Sequence, residues 1–597
     1  KYNINDDGTT GSELWDAGTI LMNTDSSYRN IKTLIAGSMT DFSTAIDHAY
    51  LGVTTDALRS LIVGFFRGES AYNIEYWKLG DIFRSKPITV GTPSFFFEDM
   101  RDTNNAFASF RTSHVRASSP YSGRVVLVGA NDGQLHAFKT SDGSEAWSFI
   151  PPNLLSRLKM IAHNTHPTSL THQSYVDGPV TVADAWVPSS TSSGTSKSSS
   201  DWQTILLFGE GQGAGDNLWS SSTYCDSGFS QIYTTSYPYY CGYYALNVTS
   251  TLAPSFKWRL GVSASAAPYL GAPWSSPMIG RIKDGGNEKW VAFIGGGYSS
   301  PGAANSGKGL FVFNMTDGSL LWSYTKADNS SMNDPMPAPP AIVDTDSDGF
   351  IDMAYLGDMG SNMWRFKFCK AIDGDSCGTS NWTAGMFYDA SASNIRPIFT
   401  SATVAKDGYN NVWVYWGTGD KLDPTAPNAQ EKLFALKDTD FTSTRNLNDM
   451  ENITSEGSTY SGTGYGWYIN LTGTGEKMLA EPTVFGGVVY FTTYTPPSGN
   501  NPCAQGGTAS LYGVNYITGA GAIDNGGDED VRSITIGTGI PSAPVVSMRP
   551  GNDPTPDLYV TTSGGGGISG ETARINFDPR SMSNRTNIIF WKDTRIE

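Results

Sequence analysis

Three kinds of short strand recur along the chain in a constant order, and this repetition restricts the possible folds more than any other feature. The first kind has a proline directly before apolar residues. The second is apolar and ends in glycine or another small residue, and the third alternates around an aromatic residue. Each kind occurs seven times. A chain with so many ordered copies of one strand unit is expected to build a repetitive β-sheet architecture.

The copies define seven units, which we number 1 to 7 along the chain. The first strands begin at 86–88, 178–180, 276–278, 339–341, 401–403, 481–483 and 543–545, and only 401–403 lacks the proline. The second strands are 125–129, 205–209, 291–295, 353–357, 412–417, 488–492 and 558–562. The third strands are 134–138, 243–246, 310–313, 363–366, 433–436, 511–514 and 573–577. A fourth strand, often ending in tryptophan, follows at 145–147, 256–258, 320–322 and 589–591.

Units of up to four short strands, repeated seven times, predict an all-β fold, a modified seven-bladed β-propeller. The composition agrees, because 66 glycines with 29 tyrosines, 28 phenylalanines and 16 tryptophans suit strands joined by many tight turns. A pair of β-sandwiches is the alternative all-β fold, and seven copies in constant order argue against it. We therefore assign the propeller to residues 79–597.

Residues 1–78 do not fit the repeat. Thr55 followed by Leu58, Leu61, Ile62 and Phe65 has the periodicity of a helix with a capping residue at its start. A second short helix is expected near 13–22. We predict a small, partly helical N-terminal lead-in over 1–78, a connector that packs on the propeller.

An acidic loop lies between the first and second strands of unit 4. In the sequence Asp344-Thr-Asp-Ser-Asp-Gly-Phe-Ile-Asp352, carboxylates occupy positions 1, 3, 5 and 9. This is the ligand spacing of a calcium loop, in which position 7 contributes its main-chain oxygen. The alternative is a solvated acidic turn, although four carboxylates in nine residues repel one another without a cation. We predict Ca²⁺ bound by Asp344, Asp346, Asp348, Asp352 and the carbonyl of Phe350.

The flanks of this loop exclude an EF-hand. An EF-hand carries a bidentate glutamate at position 12 and lies between two helices. Position 12 here is Tyr355, and the flanking sequences have the pattern of strands. The loop is therefore expected to join two strands.

Charge and hydropathy exclude two classes of partner. The net charge of −17 disfavours binding to a nucleic-acid backbone, which requires clustered lysine and arginine. No apolar run reaches the length needed to cross a bilayer. Because the chain starts at Lys1, we expect a signal sequence or a larger upstream region to precede it in the natural protein.

The five cysteines include two locally spaced pairs, Cys225 with Cys241 and Cys369 with Cys377. Neither pair has the spacing of a zinc site, and no histidine lies nearby. Two disulfides in an oxidising compartment are the better interpretation. Cys503 is left either free or paired with a residue outside this chain.

Several motifs together resemble the C-terminal domain of the PilC/PilY family of type IV pilus tip proteins. They are 79–82 with Pro87, 128–138, 175–179 and 355–366, and the resemblance extends over 11–597. Members of this family carry a propeller with a nine-residue calcium loop, whose five ligand positions match the loop at 344–352. The strand pattern at 310–322 also resembles the blades of quinoproteins.

The resemblance implies a non-enzymatic bacterial protein, secreted through the periplasm to the cell surface at the pilus tip. It would support pilus assembly, control of extension and retraction (twitching motility) and adhesion. Its partners would be minor pilins, a host or abiotic surface, and an upstream von Willebrand A-like domain. Some members carry an Arg-Gly-Asp integrin motif; the nearest triplet here is Arg67-Gly68-Glu69. Integrin binding by that route is therefore not expected.

Two other functions were weighed. A quinoprotein-like dehydrogenase would use similar blades and calcium, but the adjacent cysteines of that family are absent from this sequence. A secreted lectin-like or matrix-binding propeller unrelated to pili is the second alternative. Tyr233, Tyr237, Tyr239 and Tyr240 would then stack on sugars, or instead pack their insertion onto the propeller.

Overall fold

The structure is a computed structural model of the 597-residue chain. It describes residues 1–4, 10–94, 97–116, 123–162, 172–214, 242–260, 265–300, 302–390, 396–427, 430–497, 506–524, 530–548, 556–564 and 571–576. Antiparallel sheets dominate these residues, with only short helices between them. No helix in the described ranges is long and apolar enough to cross a lipid bilayer.

The N-terminal lead-in contains both helices expected from the sequence. Its elements are β1 (Tyr2–Ile4), β2 (Thr10–Glu13), α1 (Ala17–Asn23), β3 (Ile31–Ile35), β4 (Ser38–Asp41) and α2 (Asp56–Arg67). The Thr55 hydroxyl caps α2 by accepting from the backbone N–H of Leu58 at 3.3 Å, and Gly68 ends the helix at φ +82°. The helix expected at 13–22 lies slightly later, at α1.

The lead-in also extends the sheet of unit 1. That unit contains β5 (Ile88–Val90), α3 (Ala106–Ser113), β6 (Val125–Gly129), β7 (Leu135–Lys139) and β8 (Glu145–Phe149). The strand order in the sheet is β4-β3-β8-β7-β6-β5, and β3 pairs with β8 in parallel. The sequence predicts residues 1–78 to be a connector packed on the propeller, and it does not indicate this pairing. The division at residue 79 stays a prediction.

Units 2 to 5 each form a separate sheet. Unit 2 has β9 (Val180–Trp186), β10 (Trp202–Gly209), β11 (Tyr243–Asn247) and β12 (Ser255–Arg259). Unit 3 has β13 (Met278–Asp284), β14 (Asn287–Gly295), β15 (Gly309–Asn314) and β16 (Leu320–Thr325). Unit 4 has β17 (Ala341–Val343), β18 (Met353–Gly357), β19 (Met363–Lys367) and β20 (Thr383–Tyr388). Unit 5 has β21 (Thr403–Lys406), β22 (Val412–Gly417), β23 (Lys432–Asp438), β24 (Glu451–Asn452) and β25 (Gly466–Asn470).

Units 6 and 7 share one eight-stranded sheet, because a strand of unit 6 pairs with one of unit 7. The strands are β26 (Lys477–Met478), β27 (Thr483–Phe485), β28 (Val488–Thr495), β29 (Thr508–Asn515), β30 (Ser533–Pro541), β31 (Val545–Met548), β32 (Pro556–Gly564) and β33 (Glu571–Asn576). The fourth strand expected at 589–591 lies outside the described residues. All three recurring kinds of strand are present, whereas the count of seven blades stays a prediction.

The core lies between successive sheets, and strand alternation distributes each unit's side chains to its two neighbours. On β15, Phe311 and Phe313 pack in a cluster with unit 2. Leu310 and Val312 on the same strand pack in a second cluster with unit 4. Because successive side chains of a strand point to opposite faces, an apolar strand between two neighbours is buried on both sides. This explains why the third strands are almost continuously apolar.

A buried charge cluster links the lead-in to unit 1. The His136 ring donates from Nε2 to Asp132 Oδ2 at 2.9 Å and from Nδ1 to Glu145 Oε1 at 2.8 Å. Arg29 of the lead-in pairs with the same Glu145 at 2.8 Å. Burial alone would lower the pKa of His136, but the two carboxylates outweigh it and raise the pKa to about 9.

This cluster predicts a loss of stability in mild alkali. His136 has an ordinary pKa of 6.5, so its charged form stabilises the fold fully below pH 6.5 and loses that contribution as the pH rises through about 9. The free energy of unfolding is expected to fall by about 3 kcal/mol across this window. Urea unfolding of the protein and of His136→Gln between pH 6 and 9.5 measures it. Parallel pH profiles for the two proteins would contradict the assignment.

Candidate metal site

The acidic loop 344–352 closes a hairpin between β17 and β18. Val343 pairs with Met353 at the base, and the N–H of Asp352 donates to the Val343 carbonyl at 2.9 Å. The loop reverses through positive φ angles at Ser347 (+63°) and Gly349 (+87°). The positive φ favours glycine at 349, and a Cβ there would also lie 2.3 Å from Arg281 Nη2 and would force that flexible side chain to shift.

Three of the predicted ligands converge. Asp344, Asp346 and Asp348 each offer a carboxylate oxygen, and these three oxygens lie within 4.8 Å of one another. Burial raises the pKa of Asp344, and the like charges of Asp348 and Asp346 raise it further. The arrangement therefore carries a repulsion that a bound cation would relieve.

Asp352 lies outside that group of three but has an unsatisfied oxygen. Its side chain is 0% exposed, and Oδ2 accepts from the N–H and the hydroxyl of Thr345 at 2.9 and 2.7 Å. Oδ1 is buried and has no hydrogen-bond partner among the residues that the structure describes. Burial raises the pKa of Asp352 to about 7. A buried oxygen without a partner is costly, and a cation is one way to satisfy it.

Phe350 contributes through its backbone and its ring. In the part of the chain that the structure describes, its main-chain oxygen accepts no hydrogen bond, which leaves it available to a cation. The ring is fully buried beneath Arg101 and Arg281, whose guanidinium carbons lie 4.5 and 5.1 Å from the ring centroid. The anchored ring holds position 7 of the loop in place.

Neighbouring units hold the loop with basic side chains. Arg281 of unit 3 donates from Nε to the Gly349 carbonyl at 2.6 Å. Lys283 of unit 3 lies 3.0 Å from Asp348 Oδ2, and Lys406 of unit 5 donates to the Thr345 carbonyl. These three residues were not predicted from the sequence. No local motif indicates them, because the contacts are made between units.

A disulfide supports the loop from within unit 4. Cys369 and Cys377 are bonded, which confirms one predicted pair. The short segment they enclose includes Ala371, whose N–H donates to Asp346 Oδ2 at 2.8 Å. Cys225, Cys241 and Cys503 lie outside the described residues, as do Tyr233, Tyr237, Tyr239 and Tyr240.

The donor set fits calcium. Ca²⁺ takes six to eight oxygen ligands from carboxylates, carbonyls and water. The loop supplies three converging carboxylates, one buried carboxylate oxygen without a partner and one free carbonyl. It contains neither thiolate nor imidazole, the ligands that zinc prefers. The assignment of these five residues as metal ligands stays a prediction.

Comparisons with known proteins agree with the resemblance seen in the sequence. A family model described as the PilY1 beta-propeller domain matches residues 242–410. The type IV pilus biogenesis factor PilY1 of Pseudomonas aeruginosa (strain PAK) is 25% identical over 86% of this chain and 46% of that protein. A PilY1 homolog of Xylella fastidiosa (strain Temecula1) is 24% identical over 86% of this chain and 36% of that protein. The chain thus spans less than half the length of these relatives.

A solved structure shows the fold. The crystal structure of the Pseudomonas aeruginosa PilY1 C-terminal domain superposes with a TM-score of 0.57 at 21% identity. The match covers 82% of this chain and 99% of that domain. Together with the matched family model, it confirms the β-propeller fold and the resemblance to this family of pilus proteins.

Proposed function

This chain is related to the PilY1 proteins along most of its length, and from that premise we propose that it is the calcium-binding propeller of a type IV pilus protein. The pilus association rests on relatives that are named type IV pilus biogenesis factors. One observation carries the calcium proposal. Three carboxylates converge in a loop with calcium spacing, and Asp352 at position 9 has a buried oxygen without a hydrogen-bond partner in the described residues.

The proposed ligands and the residues that hold them in place divide the work of binding the ion. The carboxylates of Asp344, Asp346, Asp348 and Asp352 and the carbonyl of Phe350 are the proposed ligands. Thr345 orients Asp352 through two hydrogen bonds, and Arg281 fixes the backbone at Gly349. Bound calcium supplies the positive charge that offsets the mutual repulsion of the carboxylates.

Calcium occupancy would set the conformation of this hairpin loop and so the surface offered to a partner. In a pilus protein, that change biases the filament between extension and retraction. A ligand shifts such an equilibrium only as far as it prefers one state. Extracellular calcium modules bind at about 10⁻⁴–10⁻³ M, and sensors bind at about 10⁻⁷–10⁻⁵ M. A dissociation constant within either range is compatible with this role.

The same kinship supports a proposal for the partners and the location. We place the protein at the pilus tip, exported through the periplasm, with minor pilins and a host or abiotic surface as partners. An upstream von Willebrand A-like domain belongs to the same proposal. The Cys369–Cys377 disulfide supports an oxidising compartment, since such bonds persist outside the cytoplasm. We propose a role in pilus biogenesis rather than catalysis, because the relatives are named as biogenesis factors, and adhesion is a further part of the proposal.

Genetic complementation tests this function. In a type IV-piliated bacterium that lacks its own PilY1-type protein, the full-length protein is expected to restore surface pili and twitching. Asp352→Ala in that protein is expected to alter twitching, whereas Asp317→Ala, in an exposed turn of unit 3, leaves it unchanged. Pilus counts by electron microscopy and twitching-zone diameters are the measurements. Failure of the unaltered protein to restore pili would contradict the pilus assignment.

A further inference from the structure

Lys283 places a positive charge against the acidic loop from the neighbouring unit. It lies near the end of β13 in unit 3, and its Nζ is 3.0 Å from Asp348 Oδ2. The side chain is only 14% exposed, and its ammonium lies 5.2 Å from the centroid of the Phe350 ring. The lysine is therefore held in this position by packing as well as by charge.

Lys283 contacts Oδ2 of Asp348, the carboxylate oxygen that is not already used in a hydrogen bond within the loop. Asp348 Oδ1 accepts the N–H of Phe350 at 2.9 Å, so it is already used within the loop. Oδ2 makes no hydrogen bond within the described residues besides its ion pair with Lys283. The other two members of the converging group accept backbone N–H groups: Asp344 from Gly349 at 2.7 Å and Asp346 from Ala371 at 2.8 Å. Within the described part of the chain, Asp348 is the one member of this group that pairs with an ammonium.

From this geometry we propose that Lys283 is an internal competitor of calcium. The inference rests on the proposed calcium binding and adds the residue that sets its affinity. An ammonium 3.0 Å from a proposed ligand oxygen competes with a metal cation for that oxygen. Two cations cannot share this oxygen closely without strong repulsion, because the half-buried loop screens charge poorly. Calcium therefore displaces the ammonium from Asp348 when it binds.

In the metal-free protein, Lys283 supplies the positive charge that calcium supplies when it is bound. Without an ion, Lys283 partly neutralises the carboxylate cluster, while Lys406 and Arg281 hold the backbone at Thr345 and Gly349. The hairpin thus stays closed in calcium-free protein, and calcium changes the position of Lys283 and the arrangement of the carboxylates at the loop surface. The ion pair that must be broken lowers the affinity for calcium. It also links metal occupancy to the contact between units 3 and 4.

Calcium titration of three variants tests the competitor role. Lys283→Met keeps the aliphatic chain over Phe350 but removes the charge, and we expect it to bind calcium about five- to tenfold more tightly than the unaltered chain. Lys283→Arg retains a cation and is expected to stay within about twofold of the unaltered chain. Lys289→Met is the matched control. Lys289 pairs with Asp284 on the adjoining strand and makes no ion pair or hydrogen bond with the loop within the described residues. The Lys289→Met protein is therefore expected to bind calcium with unchanged affinity.

The outcomes separate this inference from the proposed function. Equal or weaker calcium binding by Lys283→Met would overturn the competitor role, since the lysine would then only orient Asp348. Absence of binding by the unaltered chain would instead overturn the calcium site itself, and the competitor role with it. Urea unfolding of each variant in chelator reports whether the fold is intact. Tighter binding by an intact Lys283→Met protein supports the proposal.

Discussion

Replacing Asp352 by alanine is expected to weaken calcium binding by about a hundredfold or more. Mutation of a residue that only supports a metal ligand already lowers metal affinity by about 10–100-fold, and Asp352 is a proposed ligand. The substitution removes the buried oxygen without a partner and also the acceptor of two hydrogen bonds from Thr345. Isothermal titration with calcium measures the loss. Binding unchanged from that of the unaltered protein would remove Asp352 from the ligand set.

Two further variants separate charge from structure at this position. Asp352→Asn keeps an amide oxygen that accepts from Thr345 but removes the negative charge. We expect it to lose calcium affinity while keeping the stability of the metal-free protein. Asp317→Ala removes a carboxylate from an exposed turn of unit 3 and is expected to bind calcium normally. Global unfolding of Asp352→Ala in chelator would indicate that the loop is needed to maintain the fold, which argues against a regulatory role.

Replacing Arg365 by methionine is expected to lower the free energy of unfolding by about 3–5 kcal/mol, because it leaves a buried charge without its partner. Arg365 of β19 binds both oxygens of Asp438 of β23, at 2.8 and 3.0 Å. Both side chains are at most 3% exposed, and the Tyr355 hydroxyl donates to the same carboxylate at 2.8 Å. The pair bridges units 4 and 5, so its loss weakens their contact.

Urea unfolding measures this effect. The double variant Arg365→Met/Asp438→Leu is expected to recover much of the lost stability, since apolar replacement of a whole buried ion pair is often neutral. Lys367→Met, at a more exposed position of the same strand, is the matched control and is expected to change stability by less than about 0.5 kcal/mol. An Arg365→Met protein within about 1 kcal/mol of the unaltered chain would contradict the prediction.

Local patterns explain why most of the fold was predictable. Each recurring pattern depends only on one strand and the turns beside it. The patterns are the proline before the first strands, the small residues at the end of the second and the aromatic alternation in the third. The structure places a strand at each of these positions. The fourth strands at Thr383–Tyr388, Gly466–Asn470 and Ser533–Pro541 were missed. They do not end in tryptophan, the feature that indicated the other copies of this strand.

Contacts between distant segments were not predictable from sequence. The parallel pairing of β3 with β8 joins residues more than a hundred positions apart, and nothing in 31–35 indicates a blade strand. The same limit applies to the metal site. The spacing of Asp344, Asp346 and Asp348 predicted their convergence, because the loop is local. Lys283 reaches the loop from the preceding unit, and its role depends on the packing of two sheets.

The most direct test of the calcium site is a crystal structure of this chain grown with saturating calcium. The account predicts one ion bound by the carboxylates of Asp344, Asp346, Asp348 and Asp352 and by the Phe350 carbonyl. It also predicts that the Lys283 ammonium has moved away from Asp348. A loop without an ion at saturating calcium, with Lys283 still paired to Asp348, would contradict both the calcium site and the function proposed from it.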